Sequence, residues 1–142
     1  GYIEALAAGN IWVAHGYSND IFQANLGAQE AKQPFHIKHA MPKEGAVLAL
    51  DAMVVHKNAP RADLAFQFIN FMLEGQNSAD LTNMIGSGNP NSAAMPYIKP
   101  EIKAMSAIFP DEATAKKLEM LKDMNAQQRR LLNKIWTEIK AK

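Results

Sequence analysis

The stretch "EGAVLALDAMVV", residues 44–55, has nine apolar residues in twelve and one carboxylate, Asp51, among them. Short apolar runs rich in β-branched residues read as buried strands. The strand is expected over residues 46–56, preceded by a turn or a crossing strand from Pro42 to Gly45. With a period of two, Val47, Ala49, Asp51, Met53 and Val55 share one face. An ionised acid on such a face is costly unless it is paired or hydrogen-bonded. A strand acid usually faces water; otherwise Asp51 needs a partner, supplied either by this chain or by a ligand's cation.

Outward from that run, helices dominate the C-terminal side. "LAFQFINFMLE" (64–74) carries Leu64, Phe68, Phe71 and Met72 at helical spacing, with Pro60 and Asp63 as start signals and Gly75 as its stop. A second helix is expected over about 77–85, then a loop, "GSGNPNSAAMP" (86–96). Pro100 sits at the first turn of a following helix. "PDEATAKKLEMLKD" and "AQQRRLLNKIWTEIKAK" read as two helices or one bent helix, with Leu118, Leu121, Leu132, Ile135 and Ile139 as an interrupted apolar stripe.

On the N-terminal side, residues 2–8 read as a short helix stopped by Gly9-Asn10, and "IWVAHG" (11–16) as a buried strand. "YSND" offers capping groups before a helix over about 20–32. "FHIKHA" (35–40) alternates as a half-buried strand would. Short strands alternating with helices give an α/β pattern with a helix-rich C-terminal half.

Composition narrows the function. The chain has 142 residues, is 48% hydrophobic and 20% charged, and carries a formal net charge of +1. That is one ordinary globular domain with no field for nucleic acid or an anionic membrane. With no cysteine, disulfide scaffolds, thiolate metal sites and cysteine nucleophiles are excluded. The chain opens inside a helical pattern without a cap, so it reads as a fragment, and a missing signal peptide then carries no weight.

The histidines give no metal site. His36 and His39 fall on opposite faces of a strand, and His15 and His56 each end one. "IGSGN" lacks both the nucleophile-elbow pattern and a Walker lysine, so Ser87 is read as a loop residue. Asp20 is most simply a helix cap. Tyr17 is a strand-end aromatic whose plain role is in the core or its rim. Yet an aromatic face beside two acids suits an ammonium ligand. Cation–π contact contributes on the order of 0.5–2 kcal/mol, and charge-assisted hydrogen bonds about 1.5–3 kcal/mol each. Asp20 and Asp51 as an acid/base pair of an enzyme find no further support in the sequence. No enzymatic activity, cofactor or metal is expected.

Several blocks together resemble a known family. "PKEGA" with an Asp-bearing strand, "APRADLAFQFINFML" and "GNPNSAA" occur in order, with "GYSNDIFQA" upstream and "IFPDEATAKKLEMLKD" and "RLLNKIWTEIKA" downstream. They are similar to the C-terminal part of bacterial polyamine-binding proteins, the extracytoplasmic receptors of putrescine/spermidine ABC transporters, with the putrescine branch nearest. The resemblance implies a partial type II periplasmic binding-protein fold. Residues 1–40 would end the second lobe, residues 41–142 would close the first, and the hinge crossing would fall near 36–46. It also implies a periplasmic location and the transporter's membrane subunits as partners. The same fold could instead serve a polyamine sensor that reports to a membrane signalling protein.

Carried over by residue, Tyr17 stands where the family has a tryptophan against the polyamine chain. Asp20 and Asp51 match acids that hold amines. Ala49 and Ser87 depart from the pattern, standing where the family has an aromatic (Trp or Phe) and a cleft tyrosine. Losing those walls would admit a bulkier or less extended cation, such as a guanidino compound or an amino-acid derivative. A lobe lacking its partner strands exposes edges and apolar faces, so this chain alone is expected to form a homodimer, and as such it need not bind ligand.

Overall fold

The computed structural model describes residues 1–141. Its elements are α1 (Tyr2–Ala7), α2 (Ser18–Glu30), β1 (Ala46–Leu48), α3 (Ala62–Leu73) and α4 (Gly75–Ile85), then α5 (Pro100–Lys103), α6 (Glu112–Ala115), β2 (Leu118–Met120) and α7 (Ala126–Lys140). A 3-10 segment, Ser92–Tyr97, lies between α4 and α5. The result is helix-rich, with a two-stranded parallel sheet.

Two apolar clusters hold the chain together. α1 packs on α2 around Leu6, Ile21 and Ala24, with Tyr2, Ile3, Ile11, Ala14 and Ile37 against them. The second cluster joins α4, the 3-10 segment and α5 through Ala79, Ala94, Ile98, Ile102 and Ile108. Phe22 packs against it from α2. Ile21 and Phe22, adjacent on α2, thus serve different clusters and tie them together. Burying a side chain such as Ile98 or Ile102 contributes roughly 1.5–3 kcal/mol.

Asparagine side chains fix the loop after α4. Asn89 Nδ2 donates to Ser78 O, Ser78 Oγ and Thr82 Oγ1, each at 3.0 Å, and Asn89 Oδ1 accepts from Asn91 N at 2.9 Å. Asn91 Nδ2 in turn donates to Leu73 O at 2.7 Å. The polar groups of Ser78 and Thr82, both buried, are thereby satisfied, as buried polar groups must be.

The helices fall close to where periodicity puts them, and the strands do not. Residues 11–16 and 35–40, expected as strands, are irregular. So is most of 46–56: only Ala46–Leu48 pairs, with Leu118–Met120 in parallel register. The segment is also exposed rather than buried, with Leu50 64% and Val54 86% accessible. A strand exists only where a second one completes its ladder, and among the described residues β2 is the one partner of β1. The helix, or first part of a bent helix, expected over 110–123 is one turn, α6, followed by β2. Leu118 is therefore a strand residue and Leu121 an irregular one. Gly75, expected to stop α3, opens α4 instead, and Glu74 is the joint between the two. A Cβ on Gly75 would lie 2.4 Å from Ala93 O, so a side chain there is excluded by the 3-10 segment.

Of the two forms expected from Pro42 to Gly45, turn or crossing strand, the turn is present, the Pro42 carbonyl accepting from Gly45 N at 3.0 Å. Pro100 is at the head of α5. Asn125 caps α7 in a reciprocal capping box with Gln128, which satisfies free N–H groups at the helix start. Residue 142, the end of the helix expected there, lies outside the described residues.

Candidate functional site

Of the five residues singled out for binding, three gather around α2. Tyr17 stands at the helix N-cap with extended backbone and makes no side-chain cap bond. The residue is 64% accessible and so is open to an outside group. Asp20 lies in the first turn of α2, where the helix dipole favours a negative charge. It does not cap the helix, contrary to the simplest local reading. Its Oδ2 instead accepts from the Tyr2 hydroxyl, and its Oδ1 from Asn19 Nδ2 at 3.0 Å. The reason is tertiary: α1 packs on α2 and delivers a phenol to the carboxylate.

That contact leaves its mark on Tyr2. Donation to the Asp20 carboxylate, helped by partial burial, holds the Tyr2 hydroxyl above the usual tyrosine range. Ser87 follows Gly86, whose left-handed backbone (φ +70°) ends α4. A Cβ on Gly86 would lie 2.3 Å from the Phe22 ring, so this turn sits directly on α2. Gln23 Nε2 adds a 3.0 Å bond to Met84 O. The Ser87 loop is thus anchored to the helix that bears Asp20.

Ala49 and Asp51 belong to another part of the molecule, the extended continuation of β1. Both are exposed. Asp51 is therefore hydrated here, which removes the desolvation cost that its apolar surroundings in sequence implied. Asp20 lies on α2 and Asp51 in the irregular stretch after β1.

Tyr2, Asn19 and Gly16 were missed by sequence reasoning. Tyr2 is 18 residues from Asp20, a separation at which local patterns carry no information. The usable signal is its phenol, a polar tip on a ring packed among apolar side chains, which has to find a partner. Asn89 and Asn91 were legible only as loop composition.

Around α2 the structure brings together the Asp20 carboxylate, the exposed Tyr17 and the loop that carries Ser87; Ala49 and Asp51 are not part of that group. Residues 1–110 match the family model described as "Bacterial extracellular solute-binding protein". The chain belongs to that family. It is 58% identical over 139 residues to a putrescine/cadaverine-binding protein of Pseudomonas aeruginosa, covering 98% of this chain and 39% of the relative. It is 39% identical to the putrescine-binding periplasmic protein SpuD of the same species, over 99% of this chain and 38% of the relative. It is 33% identical to the putrescine-binding periplasmic protein PotF of Escherichia coli, over 99% of this chain and 38% of the relative. The chain spans about two-fifths of the length of these relatives, with shares of 39%, 38% and 38%.

Proposed function

We propose that this chain is the C-terminal portion of an extracytoplasmic solute receptor of a polyamine ABC transporter, one that binds its cargo without bond chemistry. The observation that carries this reading is the 58% identity, across nearly the whole chain, to a protein named for binding putrescine and cadaverine. In this reading Asp20 and Asp51 each hold an ammonium group, and the accessible ring of Tyr17 covers the methylene chain. The small side chains of Ala49 and Ser87 leave room beside that chain and widen the range of cations accepted.

In this reading Asp20 and Asp51 belong to the two lobes of the receptor. Residues 1–40 finish one lobe, 41–142 close the other, and the crossing falls near 36–46. Ligand held between carboxylates on two units has greater affinity for the closed arrangement, and that difference drives closure. Membrane subunits of the transporter then read the closed form.

The 142-residue chain on its own exposes Trp12 (94% accessible), the 49–56 run and the apolar residues of α3 and α7. Such surface needs a cover, and self-association as a homodimer supplies one. Light scattering tests this, with a stable dilute monomer as the contrary result.

Calorimetry on the full-length protein with putrescine, cadaverine, spermidine, agmatine and cationic amino acids tests the binding reading. Saturable binding of at least one is expected. No heat from any of them, in protein shown to be folded, would remove the reading.

A further inference from the structure

The Asp20 carboxylate is held from two sides. The Tyr2 hydroxyl reaches Oδ2 from α1, and Asn19 Nδ2 reaches Oδ1 at 3.0 Å. An ionised carboxylate has two oxygens and about four acceptor sites, so acceptor capacity remains on both oxygens. The ring of Tyr2 is itself packed against the Leu6–Ile21–Ala24 cluster, which limits where its hydroxyl can go.

Gly16 completes the arrangement. A Cβ at this position would lie 2.7 Å from Tyr2 Cε2 and 2.8 Å from Tyr2 Oη. Those atoms form the far end of a side chain that can swing. A methyl group at Gly16 would therefore displace the Tyr2 hydroxyl rather than break the backbone.

We propose that Tyr2 is a positioning residue for ligand binding. Its hydroxyl fixes the Asp20 carboxylate in one orientation, so that a ligand's ammonium group finds the remaining acceptor sites already aimed. Gly16 reserves the space in which the hydroxyl sits. The inference rests on the reading of Asp20 as an ammonium-holding group. Its physical basis is that ordering a side chain on binding lowers affinity, and a carboxylate ordered beforehand avoids that cost. The same donation to Asp20 holds the Tyr2 hydroxyl above the usual tyrosine range.

Because the effect passes through Asp20, it has to vanish with Asp20. In calorimetric titrations of the full-length protein with putrescine, Tyr2→Phe and Gly16→Ala are each expected to weaken binding roughly three- to tenfold, the range for one pre-ordered side chain. In an Asp20→Ala background the same substitutions are expected to change affinity less than twofold, the non-additivity of groups that act in series. A purely structural Tyr2 would lower the melting temperature in both backgrounds and leave affinity untouched. Unchanged putrescine affinity in both single variants overturns the inference and leaves the polyamine reading standing. Equal losses with and without Asp20 also overturn it. Failure of the folded wild-type protein to bind putrescine, cadaverine or agmatine removes the polyamine reading and this inference with it.

Discussion

Gly45 and the carbonyl of Lys117 approach so closely that a Cβ on Gly45 would lie 2.1 Å from Lys117 O. Gly45 also has φ +111°, a backbone conformation that side chains resist. The two features together start the parallel register of Ala46 with Leu118. Gly45→Ala is therefore expected to unpair β1 and β2 while leaving both apolar clusters intact. Hydrogen exchange reads this directly. Amides in 46–48 and 118–120 are expected to lose protection, while those around Ile98 and Ile102 keep theirs. Retained protection at 46–48 would show that the close approach is not what sets the pairing.

Asn89 bridges Ser78 and Thr82 through one amide group. Thr82 is only 2% accessible, so truncating the amide leaves buried polar groups without a partner, at about 1–3 kcal/mol each. Asn89→Ala is expected to cost at least about 2 kcal/mol by that count, measured as a lowered denaturant midpoint. A loss below about 0.5 kcal/mol, the range of ordinary surface changes, would mean that water replaces the amide without cost.

The helices were legible because their signal is local. Leu64, Phe68 and Phe71 declare α3 by spacing alone, and Pro100 marks the head of α5. The strands were not, because a strand is a relation between segments. Nothing in "LEM" at 118–120 says that it pairs with "AVL" at 46–48 across some seventy residues. The 49–55 run looked buried because it is apolar, yet burial requires a partner surface, and the structure leaves Leu50 and Val54 open. At the site, the resemblance picked out Asp20 and Tyr17 as neighbours on one helix start. It could not give the Tyr2 bond, which depends on how α1 packs on α2.

Ile102 has 2% of its surface accessible and sits at the centre of the second cluster. Ile102→Ala is expected to cost about 2–5 kcal/mol, the transfer term plus the cavity left behind. The consequence reaches α2 through Phe22, which packs on the same cluster. Thermal unfolding and Phe22 side-chain resonances should shift together. A change in stability with Phe22 unmoved would show that the two clusters are energetically separate.

Tyr2 supplies a pH prediction with a definite sign. Its hydroxyl titrates above the usual tyrosine value because it donates to Asp20. The folded state thus favours the protonated phenol more than the unfolded state does. The contact contributes its full stability below the unfolded tyrosine pKa, near 10, and loses it as pH rises through the raised folded value. Tyrosinate absorbance is expected to show one group ionising late, and Tyr2→Phe should abolish that phase. A late phase that survives in Tyr2→Phe would show that the contact with Asp20 is not its source.

The central claim is that carboxylates of this chain hold the ammonium groups of a cationic ligand. Asp51 tests it most directly, since it is hydrated in this structure and has a ligand as its expected partner. The measurement is the calorimetric putrescine affinity of the full-length protein with Asp51 and with Asp51→Asn, a swap that keeps shape and removes charge. A loss of at least about tenfold, equal to about 1.4 kcal/mol, is expected for a charge-assisted hydrogen bond. Equal affinity in the two proteins would contradict the claim and remove Asp51 from the site.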